Sequence, residues 1–235
     1  MKKRKLLALL MIVSLFSVTA CKKVEKEDID VLGGWTVDTS TETLNLTSAA
    51  KKAFEDATEE YDGMSWEPIA LLGTQVVSGT NYAILAKGTP TTFNATTSWK
   101  VVIVYSDLDG NSVVLSASDI NIVDYTSDNE FDEETLSGGW TVNSKITEAV
   151  ISEDAINAYN TAMNTFVGRN YIPIALLGTQ IVSGTNYAYL VQGSNAVTSS
   201  ANESYNIAVI VVYSDLDGNS EVSTVYNLDL SIFNN

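Results

Sequence analysis

Gln75-Val76-Val77-Ser78-Gly79-Thr80-Asn81-Tyr82 returns 105 residues later as Gln180-Ile181-Val182-Ser183-Gly184-Thr185-Asn186-Tyr187. The match extends outward in both directions. Pro68-Ile69-Ala70-Leu71-Leu72-Gly73-Thr74 reappears unchanged at Pro173–Thr179, and Gly33-Gly34-Trp35-Thr36-Val37 reappears as Gly138-Gly139-Trp140-Thr141-Val142. The 235-residue chain is therefore a duplication of a unit of about 100 residues, an ordinary domain size. At 45% apolar residues, each unit has enough material for a packed core.

Each copy opens on its glycine pair and a short strand, and a helix follows. In the first, Thr47 or Ser48 can cap a stripe of Ala50, Ala53, Phe54, Ala57 and Tyr61 at helical spacing. In the second, Ser152 precedes Glu153 and Asp154, acids that suit the positive end of the helix dipole, and the stripe is Ala155, Tyr159, Ala162 and Phe166. Both stripes read as core rather than as a binding face. Four strand-like runs come next: 66–78, 80–88, 99–106 and 112–122, repeated at 171–183, 185–193, 204–214 and 220–231. Gly79 and Gly184 mark one hairpin turn, and Asp109-Gly110 and Asp217-Gly218 mark another. Gly73 and Gly178 interrupt apolar strands and predict bulges. Strand, helix and four hairpin-linked strands predict an α+β fold in each copy: a four- to five-stranded antiparallel sheet wrapped around one helix.

The repeated octapeptide resembles the Gln-x-Val-x-Gly loop of cystatins, inhibitors of papain-like cysteine proteases, and is closest to the stefin branch, where Thr-Asn-Tyr follows the glycine. The resemblance covers residues 31–122 and 136–233. It implies two tandem cystatin-like domains that act by exclusion, each wedging three elements into the protease cleft. One element is the hairpin Gln75, Val76, Val77, Ser78 and Gly79, with Gln180, Ile181, Val182, Ser183 and Gly184 in the second copy. Another is an apolar trunk before a glycine pair, met by Val31, Leu32, Gly33 and Gly34 and less well by Leu136, Gly138 and Gly139, where Ser137 intervenes. The third is the second hairpin, where the stefin Leu-Pro is here Leu108-Asp109 and Leu216-Asp217. An acid there costs desolvation in a cleft, so Asp109→Pro is expected to tighten binding, provided the amide at 109 is not engaged.

The N-terminus reads as a targeting segment. Lys2, Lys3, Arg4 and Lys5 precede an apolar run over 6–18, too short to span a bilayer comfortably. Val18-Thr19-Ala20-Cys21 resembles a bacterial lipobox, with ordinary secretion as the alternative, and Cys21 is the sole cysteine. The expected organisation is a signal peptide at 1–20, a lipidated tether at 21–30, domains at 31–124 and 135–235, and an acidic linker at 125–134. The expected location is lipid-anchored and extracytoplasmic. Cleavage at Cys21 leaves nine basic against 29 acidic residues, a charge of −20 that repels nucleic acid and anionic lipid, so the lipid is the only expected membrane contact. With Cys21 lipidated no disulfide is available, and the two domains are expected to fold independently on their own cores.

Catalysis finds little support. The chain has no histidine, its one cysteine lies at the lipidation site, and no phosphate-binding glycine loop is present. Asp107-x-Asp109-Gly110-Asn111 lacks the glycine and glutamate spacing of an EF-hand, and a tight turn explains it. No cofactor, metal or small-molecule substrate is expected. The competing reading is an envelope lipoprotein whose cystatin-like scaffold binds another protein or a glycan.

Overall fold

A computed structural model describes residues 33–38, 46–59, 61–125, 139–143, 151–195 and 204–233. The first repeat contains β1 (Trp35–Val37), α1 (Ser48–Glu59), β2 (Met64–Val77), β3 (Gly79–Pro90), β4 (Ser98–Ser106) and β5 (Ser112–Asp119). The second contains β6 (Thr141–Val142), α2 (Glu153–Met163), β7 (Arg169–Val182), β8 (Gly184–Asn195), β9 (Tyr205–Ser214) and β10 (Ser220–Leu228). A 3-10 turn ends each repeat, at Ile122–Tyr125 and Leu230–Phe233. The fold is α+β, with two antiparallel five-stranded sheets ordered β1-β2-β3-β4-β5 and β10-β9-β8-β7-β6. Among the described residues no helix is long and apolar enough to cross a membrane.

Local chemistry sets the helix starts. Thr47 Oγ1 accepts from the Ala50 amide at 3.2 Å, and Ser152 Oγ accepts from Ala155 at 3.3 Å, each satisfying a donor that the first turn leaves free. Both helices stop short of the last aromatic of their stripe. Tyr61 is exposed and lies edge-on to Trp66, while Phe166 packs on Tyr171 beyond the helix end.

The bulges do not fall on the glycines. Gly73 pairs with Ala83 and Gly178 with Ala188, while Ile69 and Leu72, and likewise Ile174 and Leu177, are the residues left out of the ladder. A Cβ on Gly73 would stand 2.7 Å from the Thr36 carbonyl oxygen and 2.8 Å from Leu230 Cδ1. On Gly178 it would meet Thr141 O and Ile122 Cδ1, each at 2.7 Å. The glycines are thus pits. Each receives the 3-10 turn of the other repeat.

That exchange belongs to a larger contact the sequence reading did not foresee. One face of each sheet packs on its own helix: Ala50, Ala53 and Phe54 against Leu71, Ile84, Val102 and Val104, and Ala155, Tyr159 and Ala162 against Leu176, Tyr189, Ile210 and Val212. The opposite faces pack on each other. Leu72, Leu85, Trp99, Val101 and Ile103 share one buried cluster with Leu177, Leu190, Ile207, Val209 and Val211. The layers run helix, sheet, sheet, helix. Trp99 Nε1 donates across the junction to Leu177 O at 3.0 Å, Gln192 donates to Asp38 O, and Ser116 donates to Phe233 O. Two separately packed units were expected; instead the largest apolar cluster belongs to both repeats. Ile120 and Ile122, at the end of the first repeat, are buried, and Tyr125, placed at the start of the acidic linker, packs on Tyr226 with ring centroids 4.8 Å apart.

A lysine sits within this junction. Lys87 on β3 is 3% exposed, with its ammonium 5.0 Å from the centre of the Trp99 ring. Burial holds its pKa below 10.5, and nearby Glu67 offsets that in part. The matching position in the second repeat is Gln192, neutral and bonded to the Asp38 carbonyl. Between the lowered folded pKa and 10.5 the unfolded chain binds this proton more firmly, so the Lys87 penalty is full at neutral pH and fades as pH rises toward 10.5. Lys87→Gln should therefore raise the melting temperature by a few degrees at pH 7, and the gain should shrink in melts recorded at rising pH. An equal gain at pH 7 and pH 10 would remove the charge from the explanation.

Candidate functional site

The two hairpins and the start of β1 meet at one end of the first sheet. Val77 pairs with Gly79 across Ser78, so β2 reverses into β3 on a single intervening residue. Gly79 has φ +135°, and a Cβ there would stand 2.3 Å from the Ser106 carbonyl oxygen. Gly184 repeats this at φ +142°, with Ser214 O at 2.3 Å. Only glycine suits a left-handed turn with the end of the neighbouring strand pressed against it. That closeness joins the two hairpins into one tip. Tyr105 Oη donates to Ser78 O at 2.7 Å, and Tyr213 Oη donates to Ser183 O at 2.7 Å.

Gln75 is turned toward the trunk. Its Nε2 donates to Gly33 O at 2.8 Å, its Oε1 accepts from Asn81 Nδ2 at 2.7 Å, and the Gly33 amide donates to Val76 O at 3.3 Å. Trunk and first hairpin are therefore tied together by the Gln75 side chain and one backbone bond. In the second repeat Asn186 Nδ2 donates to Gln180 Oε1 at 2.8 Å. Gly139 is exposed there, while Gly138 and Leu136 lie outside the described residues, as do Val31, Leu32 and Cys21.

What the tips offer to a partner is apolar and uncharged at the first hairpin. Val77 is 40% exposed and Ile181 66%, Ser78 and Ser183 are open, and Val76 and Val182 are half-buried. At the second hairpin Leu108 and Leu216 project at 87% exposure. The turns behind them are held by Asp107 and Asp215. Asp107 Oδ1 accepts from the amides of Asp109 at 2.9 Å and Asn111 at 2.8 Å, and Oδ2 accepts from Asn111 Nδ2 at 2.8 Å. Asp215 does the same with Asp217 and Asn219. The asparagine side chain, then the turn amides, keep both carboxyls below the usual range. These carboxylate oxygens are consumed by their own turns.

That geometry corrects the expectation for Asp109→Pro. The Asp109 amide is a donor in the turn, and proline removes it. Asp109→Ala discards the carboxylate and keeps the amide, and it is the variant that isolates the charge.

Sequence reading missed Asn81, Asn186, Tyr105 and Tyr213 as parts of the site. Gln75 and Asn81 lie three residues either side of Ser78 and face each other in any tight hairpin centred there. Tyr105 is next to Asn81 in register, and Tyr213 next to Asn186. A ladder drawn from the turn outward contains all four. No protein-family model matches the chain, and neither does any curated protein sequence.

Proposed function

We propose that the chain is a reversible, non-covalent inhibitor of papain-like cysteine proteases, built from two tandem cystatin-like domains. The observation that carries the reading is the convergence at one sheet end of the trunk glycines, the Gln-x-Val-x-Gly turn and the Leu108 hairpin, cross-tied by Gln75 and Tyr105. A pre-ordered edge loses little entropy on entering a cleft, so a small contact can still bind tightly. Val77 and Leu108, and Ile181 and Leu216 in the second repeat, supply apolar contact. On this proposal the apolar residues ahead of the glycine pair, Val31 and Leu32 before Gly33 and Gly34, fill substrate subsites of the protease, and Leu136 ahead of Gly138 and Gly139 is the poorer counterpart. In this reading the chain works outside the cytoplasm, held to a membrane by lipid on Cys21.

Titrating papain with the chain tests the proposal. Reversible, active-site-directed inhibition that weakens at least tenfold per tip in Val77→Glu and Ile181→Glu supports it, both side chains being exposed and replaceable without disturbing a core. Absence of inhibition by the folded chain would favour a scaffold that binds something else.

The trunk tie makes a further expectation. Asn81→Leu removes the bond that orients the Gln75 amide, so the trunk is held by fewer contacts. In an Ile181→Glu background, inhibition should weaken by about tenfold, the worth of one hydrogen bond of about 1.4 kcal/mol. In a chain beginning at Trp35 the same substitution should have almost no effect, because no trunk remains to orient. Equal effects in both backgrounds would mean that Asn81 serves the hairpin alone.

A further inference from the structure

The contacts that join the sheets are reciprocal. Leu230, beyond the end of β10 and far from the second tip, sits over Gly73 in the middle of β2, and Ile122, beyond β5, sits over Gly178 in the middle of β7. Gln192, remote from the second tip, bonds Asp38 beside mid-β2, while Trp99, remote from the first, bonds Leu177 in mid-β7. In every pair, the partner nearer one tip belongs with a partner farther from the other tip. Two tips side by side would pair near with near. The observed pairing makes the tips point away from each other, each carried past the end of the opposing sheet.

From this we infer that the chain holds two papain-like protease molecules at once, one on each tip, on opposite sides of the shared core. The inference rests on the protease reading of the tips. Spacing permits it: tips separated by about the length of a 14-residue strand stand roughly 45 Å apart at 3.3 Å per residue. A protease of about 200 residues has a radius of gyration near 17 Å, so two such bodies at opposed tips do not overlap. The apolar tip residues Leu108 and Leu216 are equally exposed, and the shared core covers neither. The two sites differ in their flanks. Beside the first tip β5 exposes Val113 and Leu115, whereas the corresponding residues of β10 are Glu221 and Ser223, so the affinities need not be equal.

The test uses papain whose active-site thiol is blocked by a small disulfide cap, so that it binds without cleaving, and reads complex mass by sedimentation equilibrium. Wild-type chain with excess papain should reach two proteases per chain, Val77→Glu and Ile181→Glu one each, and the double variant none, with circular dichroism confirming that all four are folded. Saturation of the wild type at one, while each single variant also binds one, would show that the sites exclude each other and overturn the inference. Saturation at one that only a single variant abolishes would overturn it by showing an inert second tip. If wild-type chain binds no papain at all, the protease reading itself falls and the inference with it, an outcome visible before any stoichiometry is compared.

Discussion

Trp99→Ala should lower the stability of the whole chain by about 3–5 kcal/mol, the usual cost of removing a buried tryptophan. Trp99 is 2% exposed, lies at the junction of the two sheets, and gives its indole N–H to Leu177 O. Truncation leaves a cavity and strands that buried carbonyl, and both costs fall on the same side of the balance. The distribution of the loss matters more than its size. Because residues from both repeats share the cluster, calorimetry should show one cooperative transition, shifted down, with the far-ultraviolet signal of both repeats lost together. Two transitions, only the first displaced, would restore the picture of independent domains. The same reasoning anticipates trouble for either repeat made alone, since its separation would leave a broad apolar sheet face open to water.

The order of elements, the hairpin turns and the helix caps were legible because each has a local cause. Ser152 caps where an acid-rich first turn begins, and the Asp-Gly turns close hairpins between strands of matching length. The four-layer arrangement was not read, although its trace is present. Val101-Val102-Ile103-Val104 and Ile207 to Val212 are unbroken apolar runs, whereas a sheet with one wet face alternates. An unbroken run says that both faces are buried without naming what covers the second. Here the cover is the other copy of the same unit, and no residue in either copy announces it locally. Gly73 illustrates the ambiguity. A glycine inside a strand is compatible with a bulge or with close approach, and the choice depends on Leu230, 157 residues away in sequence.

The tip, by contrast, is a local device, and its most damaging single change should be Gly79→Val. The substitution places a branched side chain at φ +135°, a conformation that costs a non-glycine residue about 1–3 kcal/mol. It also sets a Cβ 2.3 Å from Ser106 O, 2.9 Å from Tyr105 Cε2 and 3.0 Å from Asp107 Cα. Those atoms belong to the second hairpin, so relief of the clash must move the two hairpins apart and break the Tyr105–Ser78 bond. The shared core occupies the middle of the strands and contains none of these tip residues, so it should survive. In an Ile181→Glu background, which leaves the first tip as the reporter, the inhibition constant for papain should rise at least 100-fold, about 2.8 kcal/mol at 1.4 kcal/mol per decade. The melting temperature should fall only by the strain term. Gly110→Ala is the matched control. It too sits at positive φ, +89°, but a Cβ there meets nothing within 4 Å, so it carries strain without displacing a neighbour. If Gly79→Val leaves the inhibition constant where Gly110→Ala leaves it, the contact between the hairpins does not shape the inhibitory edge, and each hairpin would have to act alone.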